Sequence, residues 1–249
     1  MKAKKFLAVF LLLAASAFAQ TPGLFITAGG GLAQMTTGNF SVYNPQASIS
    51  GQPQGEELPV LDKKATVGVA RLTVGYNFTE NWALQLSYAA YGTGEARLAF
   101  PLYPDYSWAV GAGPDTYQRH VLKYKPTALT LLPSYTYAVG DKTRVIIGAG
   151  INYGMNSSHI ETTTISGATV EPANRGPQSW SYAKETKRNV GYIVSLGFDY
   201  AFTDQLSAAL TGNYSTFKTK IPSSPWAAAS KSSVNTDSLG AELSLGWHW

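Results

Sequence analysis

The 249-residue chain holds only three imidazoles, His120, His159 and His248, and no cysteine. Without thiols there is no disulfide framework, no Cys-ligated zinc and no cysteine nucleophile. Nucleophilic hydrolysis would need a serine, a histidine and an acid within hydrogen-bond reach. Ser157-Ser158-His159, followed by Glu161, supplies the residue types. Neighbours on an extended chain point to opposite faces, however, so this run does not build a triad by itself. His120, with Asp115 nearby, carries no catalytic spacing, and His248 reads as a polar filler. Gly29-Gly30-Gly31 is followed by no helix, which excludes a phosphate loop. There is no zinc spacing and no calcium loop. The expectation is therefore no enzyme, no metal and no cofactor.

Four charged residues are of more interest because of where they fall. Arg71, Arg144, Asp199 and Glu242 interrupt otherwise apolar, alternating segments, always on the polar parity. That alternation is the dominant signal of the chain. In the last segment Leu239, Ala241, Leu243, Leu245, Trp247 and Trp249 alternate with Ser238, Gly240, Glu242, Ser244, Gly246 and His248. Strand side chains point to alternate faces, so one face is greasy and the other polar. Seven more segments do the same, among them Leu24 to Leu32, Ala70 to Phe78, Leu129 to Tyr137 and Tyr192 to Phe202. The predicted strands are about 24–35, 66–78, 82–91, 126–138, 144–156, 188–202, 206–217 and 236–249. Each is long enough to cross a bilayer at a tilt.

Short and long connections alternate strictly. Three tight turns, Thr79–Asn81, Val139–Thr143 and Thr203–Gln205, are interleaved with long loops at about 36–65, 92–125, 157–187 and 218–235. Most charge lies in the loops and turns. Aromatic residues gather at both strand ends, where membrane girdles form. The pattern predicts an all-β fold: an eight-stranded antiparallel up-and-down transmembrane barrel, closed at an even strand number with both termini on the short-turn side. Strand pattern at Tyr117–Lys125 and Ile160–Ile165 suggests that the hairpins extend above the membrane; a ten-stranded count is the competing layout.

Residues 1–19 read as a secretory signal: Lys2, Lys4 and Lys5, then an apolar run too short to span, then Ala17-Phe18-Ala19. Residues 20–249 would form the barrel domain. Losing the leader's three lysines leaves 16 basic against 15 acidic residues, so no nucleic-acid partner is expected.

Register places two ion pairs in the lumen. Arg71 lies seven residues before Phe78, and Glu242 seven before Trp249. Both strands run the same way, so the two side chains share a depth. The strand between them offers only Gly29 and Gly31 inward there, leaving room to meet. Arg144 and Asp199 sit near the lower ends of adjacent strands and form the second pair. Either pair can serve as a structural plug or as a gate in a narrow path. In the loops, Phe100, Tyr103, Tyr106, Trp108 and Trp226 are the candidates for a binding surface.

Tyr76-Asn77-Phe78-Thr79-Glu80-Asn81-Trp82-Ala83-Leu84, the run Val145 to Tyr153 and the closing alternating strand resemble the small outer-membrane β-barrel family, the OmpA-like and OmpX-like eight-stranded proteins. The resemblance implies location in the outer membrane of a Gram-negative bacterium. It implies contact with membrane lipid and lipopolysaccharide, and insertion by the barrel-assembly machinery. In that family an aromatic C-terminal residue is the assembly signal; Phe is usual, and here Trp249, with Trp247 and Leu245, stands in its place. The His-x-Ser-Asn run expected of lipid A deacylases is absent. The implied role is structural or loop-mediated interaction and adhesion. The alternatives are a narrow channel or transporter for ions or small apolar solutes, and an outer-membrane lipid-modifying enzyme.

Overall fold

The computed structural model describes residues 23–43, 57–59, 62–101, 117–165, 178–181, 184–222, 228–229 and 232–249. The proposed leader lies outside the described residues. Thirteen strands follow in order: β1 (Gly23–Thr37), β2 (Ser41–Tyr43), β3 (Glu57–Pro59), β4 (Lys64–Asn77), β5 (Trp82–Tyr91), β6 (Gly94–Pro101), β7 (Tyr117–Ala138), β8 (Thr143–Ile165), β9 (Gln178–Ser181), β10 (Glu185–Ala201), β11 (Leu206–Lys220), β12 (Ala228–Ala229) and β13 (Ser233–His248).

Eight of them close a ring by antiparallel pairing, in the order β1, β4, β5, β7, β8, β10, β11, β13 and back to β1. Closure leaves no sheet edge for lipid to meet, as a membrane requires. β6 and β9 pair with the upper parts of β7 and β8 and lie outside the ring. β2, β3 and β12 make a separate small sheet. The ring count is therefore eight.

Three tight turns close one end. Thr79 Oγ1 accepts from the Trp82 N–H at 3.0 Å, and Thr203 Oγ1 accepts from the Leu206 N–H at 3.0 Å. In each case a hydroxyl replaces the ladder bond that the turn cannot make. Trp249 N–H donates to Leu24 O at 3.0 Å, so the last residue lies at this same end. One ladder has a gap. β7 and β8 pair on either side of Leu132–Pro133 but not at those two residues. Proline has no N–H to give, while its pairing with β5 through Leu84 persists.

The greasy parity faces out. Leu243, Leu245 and Trp247 are 61%, 59% and 42% exposed, while Glu242, next to Leu243 on the other parity, is 4% exposed. Outward apolar residues from Leu239 to Trp249 cover about 26 Å of height at a typical barrel tilt, close to the apolar band of such barrels.

Above this band the strands run on. β7 and β8 reach 22 and 23 residues, so the hairpins extend above the membrane, as the strand pattern at Tyr117–Lys125 and Ile160–Ile165 suggests. The parity of the apolar residues inverts there. On β7 Leu129 and Leu131 face out, but higher up Leu122 and Tyr124 face in and Lys125 faces out. On β1 the change falls after Leu32, where Ala33 and Met35 turn inward beside an exposed Gln34. Ala33, Met35, Val67, Val69, Tyr91, Leu122, Tyr124, Ile160, Phe217 and Val234 form one buried cluster across the upper lumen. Water replaces lipid outside, so the extension folds like a soluble barrel with apolar residues inside.

Candidate functional site

Beneath the apolar cluster the lumen is polar. β4 contributes Arg71 and β13 contributes Glu242, each in register with the inward glycines of the β1 strand between them: Gly29 opposite Arg71, Gly31 opposite Glu242. Arg71 Nε donates to Glu242 Oε2 at 2.7 Å, and Nη2 donates to Oε1 at 3.0 Å. This is a bidentate fork, the strongest geometry a guanidinium and a carboxylate offer. Asn213 Nδ2 adds a third donor to Glu242 Oε1 at 2.9 Å. The side chains are 13% and 5% exposed, so their charges are paired in a nearly dry setting.

The glycines have a second reason to be there. A Cβ on Gly29 would stand 2.5 Å from the Leu243 carbonyl oxygen, and one on Gly31 would collide with the Ala241 carbonyl oxygen. β1 and β13 approach each other too closely for a side chain at either position.

Lower in the lumen, Arg144 Nε donates to Asp199 Oδ2 at 2.9 Å, with Nη2 on the same oxygen. Thr73 and Ser87 share a hydroxyl hydrogen bond of 2.9 Å, and Gln85 Nε2 donates to Ser134 Oγ at 2.9 Å. Thr73, Ser87, Gln85 and Ser134 line a cavity of about 90 Å³ that runs from Arg71 and Glu242 down to Asn77, Asp199 and His248 at the short-turn end. It has room for a few waters.

The register reading did not foresee one contact. Ser207 Oγ and His248 Nε2 lie 3.0 Å apart. Both have inward parity at the lower ends of the paired strands β11 and β13, so the reasoning that paired Arg144 with Asp199 would have found them. Ser207 is buried, and Phe25 stacks on the imidazole with ring centroids 5.6 Å apart. The nearby carboxylate of Asp199 is held by Arg144. Among the described residues no acid hydrogen-bonds this histidine, so the orienting member of a triad is missing.

His159 sits above the band, with Nε2 3.4 Å from Glu161 Oε1. Lys123 Nζ lies 2.7 Å from Glu161 Oε2 and 3.8 Å from Glu95 Oε1. The ammonium's hydrogen bond, more than the histidine's, holds the Glu161 carboxyl below the usual glutamate range; the same bond holds the Lys123 ammonium above its ordinary value. Phe100 lies in β6. Tyr103, Tyr106, Trp108 and Trp226 lie outside the described residues. Trp249 and Trp247 face outward at the rim of the short-turn end, next to Leu245. No cluster of three or more potential metal ligands occurs among the described residues.

A closed ring with an apolar outer band, a paired polar lumen and an apolar upper core is a transmembrane β-barrel. The model of the outer membrane protein beta-barrel domain matches residues 6–247, and the chain belongs to that family. It is an outer-membrane protein of the Gram-negative type. Among solved structures it is similar to OprG from Pseudomonas aeruginosa, at 15% identity over 93% of this chain and 98% of that one, with a TM-score of 0.47. It is similar to the neisserial surface protein NspA at 12% identity over 89% and 96%, with a TM-score of 0.38. A third is Ail of Yersinia pestis, solved with the heparin analogue sucrose octasulfate, at 14% identity over 91% and 99%, with a TM-score of 0.31. No curated protein matches.

Proposed function

We propose that this protein is a non-conducting outer-membrane barrel whose task is structural and interactive: it anchors long hairpins outside the membrane as a surface for recognition or adhesion. The observation that carries this reading is the buried cluster across the upper lumen. Met35, Leu122, Tyr124 and Phe217 are each at most 1% exposed. An ion crossing there would shed its hydration against hydrocarbon and aromatic walls, at a cost of many kcal/mol. The polar cavity below is then a blind well, and the Arg71–Glu242 and Arg144–Asp199 pairs are struts rather than gates. The aromatic residues Phe100, Tyr103, Tyr106, Trp108 and Trp226 are proposed as the binding surface of the hairpins and loops. Lipid, lipopolysaccharide and, during insertion, the barrel-assembly machinery acting on Trp249, Trp247 and Leu245 are the proposed partners. The reading is non-enzymatic, since the one serine–histidine contact found among the described residues is buried and lacks its acid.

Planar-bilayer recording of the refolded chain is the test. The expected trace shows no discrete steps at either polarity. Reproducible unitary steps that vanish on Arg71→Ala or Glu242→Gln would replace this reading with the narrow-channel one.

A further inference from the structure

Strand pairing fixes the tilt of the barrel wall. A row of pairs that leaves β10 at Phe198 passes Leu210, Leu243 and Gly30, crosses β4, β5, β7 and β8, and returns to β10 at Arg188, ten residues higher. With eight strands that offset tilts them by about 40°, and each row climbs from β13 through β1 to β4. Outer residues that stand one above another therefore come from successive strands. One such vertical line holds Thr36 on β1, Leu239 on β13, Gly212 on β11 and Phe198 on β10, at steps of about 8 Å.

The wall is uneven about this line. Thr36, above the hydrocarbon, pairs with Lys64 on one side and Asp237 on the other. The two charges stand about 10 Å apart, two strand spacings. Among the described residues no acid pairs with the Lys64 ammonium and no cation with Asp237, whose carboxylate takes a hydrogen bond from Tyr214. Lower down, Tyr214 stands on the Asp237 side and Ala241 on the Lys64 side, with Gly212 between. Nothing within the chain requires glycine at 212: a Cβ there would stand 3.7 Å from its nearest neighbour, the Leu196 carbonyl oxygen.

Such a face is complementary to itself. A twofold axis along the membrane normal, set before this line, brings the β4 side of one copy opposite the β11 side of the other. Lys64 of each copy then faces Asp237 of the second. The slope of the row leaves the two about 6 Å apart in height, which a lysine stem spans. Tyr214 of each copy lies over Ala241 and Gly212 of the other, where little side chain opposes it. Lipid chains are as apolar as leucine, so association in a bilayer rests on close packing and polar pairs. This face offers the packing within the band and the pairs above it.

We propose that the protein forms a reversible twofold pair in the membrane through the outer face of β4, β1, β13 and β11. In dilute membranes lipid covers this face as it covers the rest of the band. The pair involves neither the lumen nor the loops, so it is independent of whether the barrel conducts.

The test is energy transfer between donor- and acceptor-labelled Asp204→Cys chains, refolded together in phosphatidylcholine vesicles at increasing protein-to-lipid ratio. Asp204 lies exposed in the short turn between β10 and β11, and the chain has no other cysteine. Transfer should rise along a dimerisation curve, well above the level of random proximity. K64D alone, or D237K alone, sets like charges opposite each other in both pairs and should weaken association about tenfold. The double exchange K64D/D237K restores opposite charges and should return association to within about twofold of the parent. Gly212→Leu fills the hollow and should abolish the pair. Random-proximity transfer from the parent chain means that lipid alone covers the face, and overturns the proposal. Single exchanges that change nothing overturn it, as does a double exchange no better than the single ones. A Gly212→Leu chain, folded by heat-dependent gel mobility, that pairs like the parent also overturns it. Should that variant fail to fold, the charge exchange decides alone.

Discussion

Removing the guanidinium of Arg71 strands a carboxylate in the middle of the barrel. Among the described residues the Glu242 carboxylate would keep only the Asn213 amide as a hydrogen-bond donor. Arg71→Ala should therefore cost about 3–5 kcal/mol in urea unfolding from detergent or lipid. The double variant with Glu242→Ala should recover a large part of that, because no charge is left unpaired. A single variant as stable as the parent chain would remove the pair from the account. Glu161 tests the exposed hairpin charges. Its carboxyl is held below the usual value of about 4.3, first by the Lys123 hydrogen bond. Its contribution to stability is thus present above the unfolded value and is lost as pH falls through the lowered folded value. In an NMR titration the Glu161 midpoint should lie below that of a free glutamate and should rise in Lys123→Ala. An unmoved midpoint in the variant would show that the ammonium is not the cause. The Arg71–Glu242 juxtaposition was legible from residue counting alone, since both strands end at an aromatic rim and run the same way. Ser207–His248 was legible by the same means. Asn213 on Glu242 was not, because rotamers of a short amide in a crowded lumen follow from packing.

At the scale of elements, parity does most of the work. Within the membrane a strand must show lipid its apolar set, so period-two patterning marked all eight spanning strands. The extensions of β7 and β8 showed as strand pattern at Tyr117–Lys125 and Ile160–Ile165, but the change of face of their hydrophobic residues was harder to see. Lys123, Lys125, Leu122 and Tyr124 alternate as regularly as Leu129 and Leu131 do, but with the phase reversed. Read as a continuation of the spanning pattern they look like loop; read as a soluble strand they are regular. The buried cluster they build should be a main source of rigidity for the hairpins. Phe217 packs edge-on against Tyr91 with centroids 5.4 Å apart. Phe217→Ala should cost about 3–5 kcal/mol and raise hydrogen exchange in upper β7 and β8 more than in the membrane band. Uniform exchange change along those strands would mean that the upper cluster is not a separate cooperative unit.

For the whole molecule, the decisive variable is which solvent each stretch of outer wall meets. An arginine at Leu243, near mid-band, should cost about 2–4 kcal/mol, whereas Arg188 in its natural place at the upper edge costs close to nothing. A Leu243→Arg barrel that unfolds no more easily than the parent would place that residue outside lipid. The closed ring and the membrane were legible because chain-long alternation and strictly alternating connection lengths leave few other folds. The upper seal was not, since whether inward residues pack across a lumen or line a channel depends on strand stagger, which a one-dimensional pattern does not carry.

The chain has no cysteine, so single cysteines can be introduced and spin-labelled without background. Oxygen partitions into lipid, and a polar nickel chelate stays in water. Labels at Leu239, Leu243, Trp247, Leu129 and Leu131 in bilayers should relax faster with oxygen and ignore the chelate. Labels at Lys123 and Lys125, on the same face of β7, should do the reverse. A water signature at Leu243 and Leu131, or no change of solvent between Leu129 and Lys125, would contradict the account at its centre.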